Sequence, residues 1–139
     1  MKLITRSKRA ALVGLVGILA AVVPGSPAHA TAAVDIRPIN APDGAPGLAE
    51  CAAVGATTNG STMDLVVRGT ANIAGATNIS LVCHVWQSNK HGHVGGVSVT
   101  GSAVAAGVVR NFNLAPYTIC AEVFIVTLNG SYHYPCPAH

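Results

Sequence analysis

From Leu48 onward hydrophobic positions alternate with polar or small ones at a period of two, and no stretch repeats at the helical period. Met63, Leu65 and Val67 fall on one parity against Asp64, Val66 and Arg68. Ile79, Leu81, Cys83 and Val85 share a face opposite Ser80, Val82, His84 and Trp86. Ile119, Ala121, Val123 and Ile125 make a cleaner apolar face than Cys120, Glu122 and Phe124. The runs marked in this way are 48–54, 63–69, 77–87, 95–101, 104–113, 117–127 and 131–134. Asn59-Gly60 and Asn129-Gly130 stand between neighbouring runs, and Asn-Gly is a strong hairpin signal. The pattern predicts an all-β fold, a single antiparallel two-sheet sandwich of about seven strands.

Upstream the pattern changes twice. Lys2, Arg6, Lys8 and Arg9 precede an uncharged apolar run over 10–23, broken by Pro24, Gly25 and Pro27 and followed by Ala28-His29-Ala30. A basic start, a short apolar stretch and a small-x-small site predict a signal peptide over 1–30, cleaved after Ala30. The apolar run is shorter than the roughly 20 residues of a spanning helix, so no membrane span is expected. Lys8-Arg9 is not a twin arginine, and no cysteine precedes Cys51, which points to the general secretory route without a lipid anchor. Pro38, Pro42, Pro46, Gly44 and Gly47 predict an extended lead-in over 31–47, leaving 48–139 as the sandwich domain. The expected location is secreted, extracellular or loosely envelope-associated.

Composition changes the picture mainly through charge and cysteine. The formal charge of the whole chain is +3, but four of its basic residues lie within 1–30. What remains is Arg37, Arg68, Lys90 and Arg110 against Asp35, Asp43, Glu50, Asp64 and Glu122, a net −1, which excludes a basic footprint for nucleic acid. All four cysteines, Cys51, Cys83, Cys120 and Cys136, follow the leader. An even count in an exported domain without a Cys-x-x-Cys pair predicts two disulfides instead of a metal cluster, with three connectivities open.

One segment carries a family likeness. Leu114-Ala-Pro-Tyr117-Thr-Ile-Cys120-Ala-Glu-Val123, followed by a hairpin, resembles the corner leading into the F strand of immunoglobulin-like and fibronectin type III sandwiches. That resemblance implies an immunoglobulin-like sandwich. In the family a Tyr stands two residues before the bridged Cys, whereas Tyr117 stands three before Cys120 and so on the opposite face. An Ala/Val/Gly/Thr-rich, charge-poor chain behind this leader also resembles small exported actinobacterial proteins.

Candidate chemistry is sparse. Glu50, Asp64 and Glu122 are the carboxylates of the predicted domain, and no two are sequence neighbours, as a glycosidase pair would have to be brought together from afar. No Gly-x-Ser-x-Gly elbow occurs, and Gly95-Gly96 lacks the rest of a phosphate loop. Five histidines follow the leader: His84, His91, His93, His133 and His139. His91-Gly92-His93 is read as part of an exposed polar loop after Ser88-Asn89-Lys90, without a third strong metal ligand. Whether His84, His91, His93 and His133 converge is left open. Trp86, Phe124, Tyr132 and Tyr134 are placed together on an outer face as a candidate contact strip. Asn59, Asn78 and Asn129 head glycosylation-type triplets, read as chance matches in a bacterial chain. The expectation is a non-enzymatic binding or structural protein without catalytic residues, cofactor or metal. Its expected partner is an extracellular protein, glycan or small molecule. The alternatives are a small-ligand carrier, a protease inhibitor or a histidine-based metal-binding protein.

Overall fold

The structure is a computed structural model that describes residues 32–40, 46–57 and 60–138. The leader over 1–30 with its cleavage point, Asn59 of the first Asn-Gly pair and His139 lie outside the described residues.

Eight strands follow one another: β1 (Ala32–Asn40), β2 (Pro46–Thr57), β3 (Thr62–Ile73), β4 (Asn78–Gln87), β5 (Lys90–Ser98), β6 (Ser102–Asn113), β7 (Thr118–Thr127) and β8 (Gly130–Tyr134). They form two four-stranded antiparallel sheets. Sheet I has the order β1-β2-β3-β6 and sheet II the order β5-β4-β7-β8. The chain changes sheet between β3 and β4, between β5 and β6, and between β6 and β7. The predicted all-β two-sheet sandwich is therefore the observed fold, with one strand more than expected.

Alternation decides what is inside. Met63, Leu65 and Val67 of β3 meet Ile79, Leu81, Cys83 and Val85 of β4 and Ala121, Val123 and Ile125 of β7 in one buried core. Each of those side chains leaves water almost completely, worth about 1.5–3 kcal/mol for a full-sized aliphatic. Cys51 of β2 and Cys83 of β4 bridge the two sheets through this core, and Cys120 of β7 is bridged to Cys136 beyond β8.

Two boundaries differ from expectation. The predicted lead-in contains β1, whose whole length pairs with β2 from Ala32↔Val54 to Asn40↔Pro46. Proline is tolerated there because β1 is an edge strand with one side of its ladder unused. β1 is also fastened to sheet II, beyond the point where β8 stops pairing with β7. Arg37 donates from Nη1 to the carbonyls of Ala121, Tyr134 and Pro135 at 3.0, 3.2 and 3.0 Å, while Asp35 Oδ2 accepts from the Ala121 N–H at 2.8 Å. These side chains satisfy ladder groups that β8 leaves without a strand partner.

The second difference is β5, which begins at Lys90 and not near Gly95. Gln87 pairs with Lys90, so only Ser88 and Asn89 form the turn. Two of the three glycines of β5 have a packing reason. A Cβ at Gly92 would stand 2.2 Å from Val109 Cγ1, and one at Gly96 would stand 1.7 Å from the Val104 carbonyl oxygen. At this edge β5 of sheet II lies against β6 of sheet I, and only the absence of a side chain lets the strands approach.

Candidate functional site

The outer face of sheet II gathers the residues with chemistry. Two-residue alternation on β5 turns His91 and His93 outward while Gly92 and Val94 turn toward β6. Antiparallel pairing sets Trp86 opposite His91 and His84 opposite His93. On β7, Cys120 lies opposite His84 and Glu122 opposite Val82; on β8, His133 lies opposite Phe124. All four described histidines thus share one face of one sheet, across β5, β4 and β8, with Glu122 on β7 between them.

Hydrogen bonds join four of these side chains into a row. His91 Nε2 lies 2.8 Å from His84 Nδ1, His84 Nε2 lies 2.7 Å from Glu122 Oε1, and Glu122 Oε2 lies 2.7 Å from His133 Nε2. A carboxylate only accepts, so His84 and His133 each carry their proton on Nε2 and donate it to Glu122. With that hydrogen on Nε2, the His84 ring turns its Nδ1 toward His91 Nε2, 2.8 Å away. Burial alone would raise the Glu122 carboxyl, but hydrogen bonds from His133 and His84, with the charge of the two rings, win and lower it below the ordinary value.

Aromatic rings close both ends. The Trp86 indole lies within 15° of parallel to His84 and His91, at centroid distances of 5.1 and 5.0 Å. Phe124 stacks on His133 at 4.0 Å and 5°. His93 completes the upper group, 6.0 Å from His84 and 5.7 Å from His91 between ring centroids.

Several expectations change here. His91-Gly92-His93 is not a polar loop but part of β5, and His84 reaches His91 directly, while among the described residues no three donors surround one point. Lone alternation of His-x-His after a two-residue Ser-Asn turn was the available signal, masked by the polar run around it. The aromatic strip is half right. Trp86 and Phe124 are on the outer face, but Tyr132 and Tyr134 stand opposite Ile125 and Val123 and pack against the core. Tyr117, on the opposite parity to Cys120, donates its hydroxyl to the Ala53 carbonyl at 3.0 Å.

The three carboxylates do not meet. Asp64 is on β3 of sheet I, where it accepts from Arg110 Nη1 at 2.9 Å and from the Asn111 N–H at 3.1 Å. These bonds secure an irregularity of the β3–β6 register in which Asn111 takes a φ of 64°. Glu50 lines an open depression of about 230 Å³ on sheet I with Ala52, Arg68, Thr70, Val104 and Ala106. No family model, curated protein or solved structure matches the chain.

Proposed function

We propose that the chain is an exported, non-enzymatic binding protein that engages an extracellular protein, glycan or small molecule through the outer face of sheet II. The observation that carries this reading is the concentration of Trp86, His84, His91, His93, Glu122, Phe124 and His133 on that one face. The corresponding face of sheet I presents aliphatic side chains such as Val34, Ile36, Val66 and Val104 instead. Aromatic and imidazole groups offer large, partly polar contact area at small entropic cost, as recognition requires. Two disulfides fit an oxidising compartment and a rigid scaffold.

The immunoglobulin-like assignment belongs to the same proposal. It is supported by two packed antiparallel sheets, by the three changes of sheet along the chain, and by the Tyr117 corner leading into β7. The carrier reading is less well supported, because the space between the sheets is filled by Leu65, Leu81, Val85 and Val123. The inhibitor reading is less well supported by the two-residue turns at Ser88-Asn89 and Leu128-Asn129, which do not protrude as a braced loop.

The test is capture from the culture medium of the producing cells with three forms of the protein: wild type, Trp86→Ser/Phe124→Ser, and Val66→Ser/Val104→Ser. A partner retained by wild type and by the sheet I variant, but lost by the sheet II variant, supports the reading. Capture that survives in the sheet II variant, or no retained partner at all, overturns it.

A further inference from the structure

We propose that His84, His91 and His93 form a binding site for a divalent transition-metal ion, Zn²⁺ or Cu²⁺, with Glu122 as the residue that positions His84. This deepens the reading of the outer face of sheet II and rests on it.

The first reason is the facing pair of nitrogens. His84 Nδ1 and His91 Nε2 stand 2.8 Å apart, so one of the two nitrogens carries the hydrogen between them and the other offers it a lone pair. In the hydrogen-bonded arrangement the occupant of that gap is this hydrogen. A metal ion is the other occupant that imidazole lone pairs accept, and Cu²⁺ and Zn²⁺ are the ions imidazole suits.

The second reason is the tautomer of His84. Its Nε2–H is committed to Glu122 Oε1 at 2.7 Å, so Nδ1 is left as the ligating atom. A histidine whose far nitrogen donates to a carboxylate is the usual arrangement around bound metals, because the carboxylate fixes the ring and raises its basicity. His133 holds the other Glu122 oxygen at 2.7 Å and so fixes the carboxylate from the opposite side.

The third reason is spacing. Three imidazoles on one tetrahedral ion, each with its nitrogen about 2.0–2.1 Å from the metal, place their ring centroids roughly 5 Å apart. His84, His91 and His93 have centroid separations of 5.0, 6.0 and 5.7 Å. Among the described residues no three donors yet surround one point, so the site forms by rotation of the exposed His91 and His93 rings toward His84 Nδ1. The backbone does not have to move, since the two-residue turn already sets His93 opposite His84 and His91 diagonal to it. Three protein ligands leave a fourth position for water or for an atom of the partner.

Trp86 supplies an internal reporter. It is the only tryptophan in the chain, and its ring lies 5.0 Å from His91 and 5.1 Å from His84. Paramagnetic Cu²⁺ bound to these rings quenches indole emission. The experiment titrates CuCl₂ and ZnCl₂ separately into the chelator-treated full protein at neutral pH, followed by calorimetry and Trp86 fluorescence, with electron paramagnetic resonance of the Cu²⁺ form. Expected are one ion per chain, a Kd below about 10 µM, quenching by Cu²⁺, and hyperfine structure from three nitrogens. His93→Ala should reduce the nitrogen count to two. Glu122→Gln should weaken binding by about 10–100-fold, with circular dichroism unchanged, because an amide can donate to Nε2 and so release the proton to Nδ1. His139→Ala should bind as wild type.

Absence of binding at 100-fold higher ion concentration overturns the proposal, as does binding indifferent to His91→Ala/His93→Ala. So does a Glu122→Gln affinity equal to wild type, for the positioning role. The two readings fail separately. A partner captured through Trp86 and Phe124 by metal-free protein leaves recognition standing without the metal, and a three-nitrogen Cu²⁺ site with no partner lost in the Trp86→Ser/Phe124→Ser variant does the reverse.

Discussion

Gly69 of β3 lies opposite Cys51 in the ladder and faces sheet II, directly beneath the bridge that Cys51 makes with Cys83. A Cβ built there would stand 2.4 Å from Cys83 Sγ, 3.0 Å from Leu81 Cδ2 and 3.2 Å from Cys51 Sγ. The disulfide is tied at both ends to different sheets and cannot swing aside as the tip of a free side chain would. Gly69→Ala in the wild-type background should therefore incur the overpacking cost of about 1–3 kcal/mol. The lower entropy of the unfolded chain returns about 0.4–1 kcal/mol, leaving a net loss. Removing the sulfurs with Cys51→Ala/Cys83→Ala costs about 2–5 kcal/mol by itself, but it vacates the space the new methyl needs. In that background Gly69→Ala should stabilise, so the cycle has a coupling of about 1–3 kcal/mol, equal to the overpacking contribution alone. Urea unfolding of the four proteins, run cold and in sulfate so that the bridge-free pair stays folded, measures it. A change of the same sign and size in both backgrounds, within about 0.5 kcal/mol, would refute the packing argument.

Three other outcomes follow from contacts already described. Gln87 is buried, donates from Nε2 to the carbonyls of Asn113, Ala115 and Pro116, and accepts from the Asn113 N–H. Gln87→Glu faces a carboxylate with three carbonyls and should lose at least about 2–3 kcal/mol at pH 7, with part regained at low pH as the new carboxyl protonates; thermal unfolding at both pH values checks it. Arg37→Ala leaves the part-buried carbonyls of Ala121 and Tyr134 without their donor and should cost about 1.5–3 kcal/mol, while hydrogen exchange accelerates selectively in the β1–β2 ladder, because Arg37 ties β1 to sheet II. Mild reductant should open Cys120–Cys136 well before Cys51–Cys83, whose sulfurs are fully buried; alkylation and peptide mass mapping give the order, and simultaneous opening would refute it.

The fold was legible because its core obeys a two-residue rhythm. Ile79, Leu81, Cys83 and Val85 were separable from Ser80, Val82, His84 and Trp86 by parity alone, and burial follows that division. β1 was hidden by Pro38 and by a composition that ordinarily marks loops. Its place depends on a free edge of β2 and on backbone groups of Ala121 and Tyr134, which are far away in sequence. The site was harder still. His91 and His93 are brought to His84 by a two-residue turn, whereas Glu122 arrives through the β4–β7 pairing, whose register no local pattern sets, and His133 through a hairpin whose turn, Leu128-Asn129, lies one residue before the Asn129-Gly130 pair. The disulfide partners were undecidable for the same reason: Cys120 turns outward, and the segment after β8 folds back to reach it.

Those disulfides bear on the site more closely than on any other part of the surface. Cys83 precedes His84 on β4 and is tied through the core to Cys51. Cys120 lies opposite His84 in the β4–β7 ladder and is tied to Cys136, three residues beyond His133. The His84–Glu122–His133 row is thus held from beneath by one bridge and from the chain end by the other. Binding groups fixed before a ligand arrives lose little freedom when it does, which raises affinity without adding a contact. Opening Cys120–Cys136 should then slacken the segment that carries His133 and, through Glu122, the orientation of His84, while the core bridge keeps the sandwich folded. Metal affinity measured before and after selective reduction and alkylation of that bridge reads this coupling directly. A fall with the far-ultraviolet spectrum unchanged fits preorganisation, and an unchanged affinity shows that β4 and β5 alone hold the three imidazoles.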